Sequence, residues 1–134
     1  MSAPPPVPPP VPATGTGLTP NLAGALAYLL APFTGILFYV LEKQNQFVRF
    51  HAMQSIILGV AWIVLWIALQ ILSTVLMAIP IIGWLVGLVL WLGIGLGGFV
   101  LWILLMWKAY QGLEWELPVV GPMARKQLSA STPV

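Results

Sequence analysis

One run of the chain, from Ala52 to Trp107, contains no charged residue. As a single helix it would be roughly 84 Å long at 1.5 Å per residue, whereas the hydrocarbon core of a bilayer is about 30 Å thick. Two crossings need a turn near the middle, and the segment 78–83, which contains Pro80, supplies one. The run therefore predicts two transmembrane helices, at about 52–78 and 82–107.

A further apolar stretch, at about 22–41, is long enough for one more crossing. Asn21 is a suitable N-cap for it, and Pro32 predicts a kink near its middle. Only 6% of the residues are charged, compared with about 25% in soluble domains, so the chain has too little charge to cover a soluble globule. The predicted fold class is all-α integral membrane, with three transmembrane helices and a short interfacial segment between helices 1 and 2.

Three parts are predicted along the chain. Residues 1–20 form a disordered proline-rich tail, because such a sequence favours extended polyproline II and has no core to bury. The alternative is that the tail docks into an aromatic-lined groove. Residues 21–112 form the three-helix membrane domain, and residues 113–134 form a cytoplasmic C-terminal segment.

The distribution of basic residues predicts an orientation. All five lie in the first loop or in the C-terminal segment, which share one side of the membrane if there are three crossings. Since basic residues favour the cytoplasmic side, we predict a multi-pass protein of the cell (inner) membrane with its N-terminus outside and its C-terminus in the cytoplasm. The five residues are Lys43, Arg49, Lys108, Arg125 and Lys126.

Polar and aromatic side chains concentrate between the first two predicted spans, in the segment 41–55. Asn45 is placed to cap a helix that begins at Gln46. Four side chains of that helix recur at i, i+3, i+4 and i+7 and share one face, which we expect to dock against the bundle or the interface. Arg49 is expected to face cytoplasmic lipid headgroups. The predicted functional block comprises Glu42, Phe47, Arg49, Phe50, His51 and Gln54.

Small residues form a stripe on the first predicted span and another on the third. Small side chains allow helix backbones to approach closely in membranes, so both stripes predict helix packing. The residues are Gly24, Ala27, Ala31 and Gly35 in the first span, and Gly83, Gly87, Gly97 and Gly98 in the third.

The residue types give little support to catalysis or metal binding. The chain has no cysteine and one histidine, and a lone histidine makes a poor metal site. Its net charge of +2 is not arranged as a basic stripe. We therefore predict no catalytic residue, no cofactor, no metal and no nucleic acid partner. We interpret His51 as an interfacial hydrogen-bonding residue, with a lipid headgroup or partner contact as the alternative.

Polar residues inside the predicted spans are few. Gln70, Ser73 and Thr74 share one helical face by their i+3 and i+4 spacing. We interpret them as interhelical hydrogen-bonding groups, and the alternative is a polar lining for a narrow path.

The segment "EKQNQFVRFHAMQS", with the preceding "NLAGALAYLL" and the later "AYQG…LPVVG", resembles a family of small bacterial membrane proteins of unassigned function. That family is similar to the membrane subunit of the Tic protein-import translocon of the chloroplast inner envelope. The resemblance covers about residues 20–125. It implies an integral protein of the bacterial inner membrane.

Two functions are open at this point. The first is a non-enzymatic scaffold or translocon-like subunit that acts in a homo-oligomer or with membrane-protein partners, favoured by the small-residue faces and the lack of a catalytic pair. The alternative is a lipid-interacting or small-solute transport module, in which Arg49 and His51 read lipid headgroups. Both functions have membrane lipids as partners.

Overall fold

The computed structural model describes residues 2–8 and 14–131, and this part of the chain is all α-helical. Of its helices, only α3 and α4 are long and apolar enough to cross a membrane. The all-α class is confirmed for these residues, whereas a third spanning helix is not found among them. The helices are α1 (Pro20–Leu26), α2 (Phe33–Leu41), α3 (Gln46–Leu76), α4 (Ile82–Tyr110) and α5 (Val120–Ser131).

The stretch predicted as one kinked span, at 22–41, is two short helices. α1 has 7 residues and α2 has 9, so they are roughly 10 Å and 14 Å long, and neither crosses a bilayer. Turns occupy the residues between them, up to Pro32. Proline lacks a backbone N–H and clashes with the preceding helical turn, and here it interrupts the helix where a kink was predicted.

The short helices form a hairpin that begins and ends at the same end of the α3–α4 pair. α1 starts beside Gly112, just after α4. The hairpin turns where Pro32 packs on Gly59, which lies roughly 20 Å along α3 from its start. α2 then ends at Leu41, and the backbone oxygen of its C-cap Glu42 accepts a hydrogen bond from Arg49 near the start of α3. The hairpin therefore extends along only part of the length of α3.

We call the end where α3 begins and α4 ends the basic end, and the α3–α4 turn at residues 77–81 the turn end. Part of the N-terminal tail is folded at the basic end. The Glu42 carboxylate accepts hydrogen bonds from the backbone N–H groups of Gly15, at 2.7 Å, and Thr16, at 3.1 Å. Residues 14–18 therefore lie at the same end of the molecule as the first loop. Three crossings would require them to lie at the opposite end.

Within the predicted tail, residues 15–18 form turns and bends, and the Glu42 carboxylate binds the first two of them. Residues 2–8 are exposed and have no regular secondary structure, and residues 1 and 9–13 lie outside the described residues. The first helix is capped by Thr19, whose hydroxyl accepts from the Leu22 N–H at 3.4 Å. Asn21, the predicted cap, lies inside the helix.

The expected cap of α3 is confirmed. The Asn45 side chain accepts a hydrogen bond from the Val48 N–H at 3.2 Å, and the helix begins at Gln46. However, α3 continues without a break to Leu76, so the interfacial segment is the first part of this helix and not a separate element. The predicted turn around Pro80 is also present.

Buried side chains concentrate at the basic end, where the hairpin and α5 pack against the start of α3 and the end of α4. Beyond Gly59 most large side chains of α3 and α4 are exposed apolar groups. The core consists of Ala23, Ala25, Ala27, Tyr28, Phe38, Val48, Phe50, Ala52, Leu105, Ala109, Leu117, Ala124 and Leu128.

The small-residue stripe of the first predicted span packs as expected over most of its length. Gly24, Ala27 and Gly35 are buried, and Ala31 is half-buried. A Cβ added at Gly35 would lie 2.8 Å from the Ser55 hydroxyl. These residues let the hairpin approach α3 closely.

Within the chain, the predicted stripe of α4 packs at its two ends and not in its middle. A Cβ at Gly83 would meet the Leu76 backbone, and one at Gly98 would meet Trp62. Gly87 and Gly97 have nothing within 4 Å of an added Cβ. α4 contacts α3 at the turn, at the Trp91–Ser73 hydrogen bond and near Gly98. It meets the hairpin at the basic end, and Gly87 and Gly97 face outward.

We expect the N-terminal segment and the C-terminus to react with a membrane-impermeant maleimide from the same side. The chain has no cysteine, so single-cysteine variants Ser2→Cys and Gln127→Cys report each end, and Ile79→Cys reports the turn end. Labelling of Ser2→Cys together with Ile79→Cys, from the side opposite to Gln127→Cys, would contradict the hairpin and restore three crossings.

We expect Gly59→Ala to destabilise the protein by about 1–3 kcal/mol, the usual cost of overpacking, because the added Cβ would lie 2.5 Å from the backbone nitrogen of Pro32. The matched control is Gly97→Ala, which meets no atom and replaces glycine by a better helix former. Thermal unfolding in detergent measures both. Equal melting temperatures for the two variants would show that the hairpin does not pack on α3 at Gly59.

Candidate functional site

Three buried polar side chains meet where the hairpin, α3 and the segment after α4 converge. Tyr28 follows α1, and His51 and Gln54 lie three residues apart on one face of α3. Their relative exposures are 0%, 1% and 0%. We call this group the Tyr28–His51–Gln54 cluster.

The hydrogen bonds of His51 define its tautomer. Nε2 lies 2.9 Å from the backbone oxygen of Leu113, and a carbonyl can only accept, so Nε2 carries the proton. Nδ1 of the neutral ring then accepts from the Tyr28 hydroxyl, at 2.8 Å. Both ring nitrogens are occupied, which leaves no free nitrogen for a metal ion or a reacting group.

Gln54 uses all of its amide atoms. Its Nε2 donates to the Tyr28 hydroxyl, at 2.8 Å, and to the Trp115 carbonyl, at 3.0 Å. Its Oε1 accepts from the Leu117 N–H at 3.1 Å. All polar side-chain atoms of the cluster are therefore hydrogen-bonded within the protein. These hydrogen bonds fix residues 113–117 to α3 and to the hairpin.

Aromatic rings shield the imidazole of His51. The ring centroids of Tyr28, Phe47 and Phe50 lie 5.6 Å, 4.6 Å and 5.2 Å from it, all in edge-on arrangements. The face expected from the i, i+3, i+4 and i+7 spacing is thus turned into the protein. His51 is too buried to contact a lipid headgroup. The alternative in which Arg49 and His51 both recognise headgroups therefore loses His51.

The hairpin turn exposes backbone carbonyls that side chains of α2, α3 and α4 satisfy. The Ala27 oxygen accepts from the hydroxyls of Ser55, at 2.5 Å, and Thr34, at 2.9 Å. The Tyr28 oxygen accepts from the indole N–H of Trp102, at 2.7 Å. The sequence prediction missed Tyr28, Ser55 and Trp102, although a buried indole usually needs such an acceptor.

Glu42 and Arg49 join the tail, α2 and α3. Glu42 is buried, and it also accepts a hydrogen bond from the Thr16 hydroxyl at 2.8 Å. Arg49 donates to the backbone oxygens of Glu42, at 2.9 Å, and Tyr39, at 3.3 Å. A cation is favourable at the carbonyl end of a helix, and Arg49 is half-buried against α2; its contact with headgroups stays a prediction.

α5 covers the outer side of the predicted block. Arg125 lies 4.3 Å above the ring of Phe50 and forms ion pairs with Glu114, at 2.9 Å, and with Glu116. The hydrogen bond that Arg125 donates to the Glu114 carboxylate raises the pKa of Arg125, so the guanidinium stays charged. Among the described residues, no group of three or more His, Cys, Asp or Glu side chains is placed to hold a metal ion.

We expect Tyr28→Phe to reduce the free energy of unfolding by about 1–3 kcal/mol for each buried group that loses its partner. The hydroxyl serves both His51 Nδ1 and Gln54 Nε2, so two groups are affected. Tyr110→Phe is the control, because that tyrosine is exposed. If thermal unfolding in detergent does not distinguish the two variants, the cluster does not contribute to stability.

Comparison with known proteins finds a family that matches most of the chain. The family described as the magnetosome magnetite crystal formation protein family matches residues 15–124, from Gly15 at the Glu42 carboxylate to Ala124 of α5. No solved structure matches the chain.

Three archaeal relatives are named UPF0132 membrane proteins. One from Methanocaldococcus jannaschii is 48% identical and covers 84% of this chain and 92% of its own. One from Archaeoglobus fulgidus is 46% identical, with 81% and 94% covered. A second from Methanocaldococcus jannaschii is 38% identical, with 82% and 71% covered.

These names refer neither to a protein-import translocon nor to a bacterial source, so that part of the resemblance has no support from them. The matched region contains the hairpin, both long helices and the whole Tyr28–His51–Gln54 cluster. The chain therefore belongs to the magnetosome magnetite crystal formation protein family, and its named relatives are membrane proteins.

Proposed function

We propose that the protein is a non-enzymatic subunit of a membrane assembly, which acts as a scaffold in an oligomer or together with other membrane proteins. The observation that carries this proposal is the contrast between its two halves. The basic end is packed and closed, whereas α3 and α4 leave most of their apolar surface uncovered.

The uncovered surface is large for the size of the chain. Only 17% of the most apolar stretch of α3 and 6% of that of α4 is buried within the protein. In a bilayer, such surface is covered by lipid or by other helices, and helix association there depends on packing and hydrogen bonds. Gly87 and Gly97 on α4 leave room for close approach from outside.

The closed basic end supports a scaffold and gives no support to an enzyme. Every polar atom of the Tyr28–His51–Gln54 cluster is bound within the protein, and the cluster positions backbone segments. A general base needs a hydrogen bond to a reacting group, and the His51 nitrogens are both committed to the fold. A rigid basic end that holds two spans in place has a structural role.

The same geometry supports a location and an orientation. Two crossings by α3 and α4 would place the tail, the first loop and α5 on one side of the cell membrane. The five basic residues of the chain lie at that end, and basic residues favour the cytoplasmic side. We therefore propose a multi-pass protein with both termini in the cytoplasm.

The family name suggests one setting for such a scaffold, the formation of magnetite crystals in magnetosomes. The described residues offer no cluster of three metal-ligating side chains, so a contribution through organisation of the membrane fits the geometry better than direct binding of iron. A translocon-like role would be another setting for the same scaffold, and it rests on the sequence resemblance alone.

A second candidate function is binding of a lipid chain. A cleft of about 340 Å³ lies beyond the hairpin turn, between α3 and α4, which is within the usual size range of ligand pockets. Its lining is apolar and contains no charged residue, which suits a hydrocarbon chain. The lining residues include Tyr28, Leu30, Gly59, Trp62, Gly98 and Trp102.

Native mass spectrometry of the full chain in mild detergent tests the proposal. We expect a defined oligomer or a stoichiometric complex with another membrane protein. A monomer that retains a lipid of one mass class would instead support the second candidate. A monomer without partner or lipid, also after gentle extraction with native lipid, would contradict both.

A further inference from the structure

One face of α3 is covered near the basic end and bare near the turn end. The hairpin packs on Ala52, Ser55 and Gly59, and it turns back at Pro32. The same helical face continues at i+4, i+8 and i+11 from Gly59, where the side chains are exposed. These exposed positions are Ile63, Ile67 and Gln70.

Gln70 is the polar group on this bare face. Its side chain is exposed, and no described residue hydrogen-bonds to it. The bond recorded there involves its backbone oxygen, which accepts from Thr74 at 2.9 Å. Ser73, one turn away, differs because it accepts from the indole N–H of Trp91 at 3.3 Å.

Gln70 lies on α3, one of the two helices that are long and apolar enough to cross a membrane, six residues before the end of that helix. Ile71 and Val75 are each 64% exposed, and Ile81 in the turn is 75% exposed. In a crossing by α3, lipid or other helices would cover these apolar neighbours and also surround Gln70. An amide there without a partner carries a desolvation cost.

We infer that this bare face of α3 is the contact surface for a second copy of the chain, with the Gln70 amides of the two copies bonded to each other. The partial charges of an amide complement those of another amide, since its NH2 group donates and its oxygen accepts. A two-fold axis at Gln70 brings identical residues together and satisfies both. This inference rests on the proposed function, because it names the partner in the assembly.

Cysteine crosslinking in native membranes tests the surface, and the natural chain has no cysteine to interfere. Gln70→Cys should form a covalent dimer with a short bis-maleimide. Leu72→Cys is the control, since it lies at nearly the same depth, is exposed, and is about 200° around the helix. Equal crosslinking of both variants, or none at Gln70→Cys, would overturn the inference.

The amide is tested separately by the dissociation constant of the dimer in detergent. Gln70→Leu should raise it by about three- to twentyfold, the range that interhelical hydrogen bonds give in membranes, whereas Gln70→Asn keeps an amide and should recover part of the affinity. An unchanged constant for Gln70→Leu would show that Gln70 is merely hydrated. If native mass spectrometry finds an oligomer but Gln70→Cys does not crosslink, this inference fails and the proposed function stands.

Discussion

Hydrogen bonds to two backbone carbonyls, those of Ala27 and Tyr28, hold the hairpin between the long helices. An interrupted helix in an apolar environment leaves carbonyls without partners, and such a break is tolerated only where other groups supply them. Ser55 and Trp102 do so from opposite sides, one on α3 and one on α4. The position of the hairpin, and with it the core at the basic end, depends on these donors.

The Tyr28–His51–Gln54 cluster extends the same principle to the C-terminal segment. Residues 113–117 form no regular helix, and His51 and Gln54 bind the backbone of Leu113, Trp115 and Leu117. Glu42 does the equivalent for the N-terminal segment at Gly15 and Thr16. The few polar side chains of this chain are thus used to bind irregular backbone, and this is why they gather at one end of the molecule.

Predictions from the sequence were right where the controlling interaction is local. Asn45 caps the helix that follows it, and charge-free length places α3 and α4. The hairpin escaped prediction because hydropathy measures the length of the stretch 22–41, whereas the break depends on Trp102, which is distant in sequence. The inward turn of Arg49 likewise depends on a contact across the first loop, because its acceptors are the carbonyls of Tyr39 and Glu42 at the end of α2. Gly87 was assigned to packing because composition does not reveal which face of α4 meets a neighbour.

The sequence separation of the hairpin contacts has a consequence for biosynthesis. Tyr28 is joined to Trp102 across 74 positions, and the cluster is completed by Leu113 and Leu117, 62 and 63 positions after their partners. Contacts of such long range form slowly because loop closure comes first. The hairpin leaves the ribosome before both long helices, yet the Tyr28 carbonyl finds its donor only after α3 and most of α4 have been made. Until then the packing of residues 20–41 is incomplete, so a segment synthesised before both long helices reaches its final structure only after them.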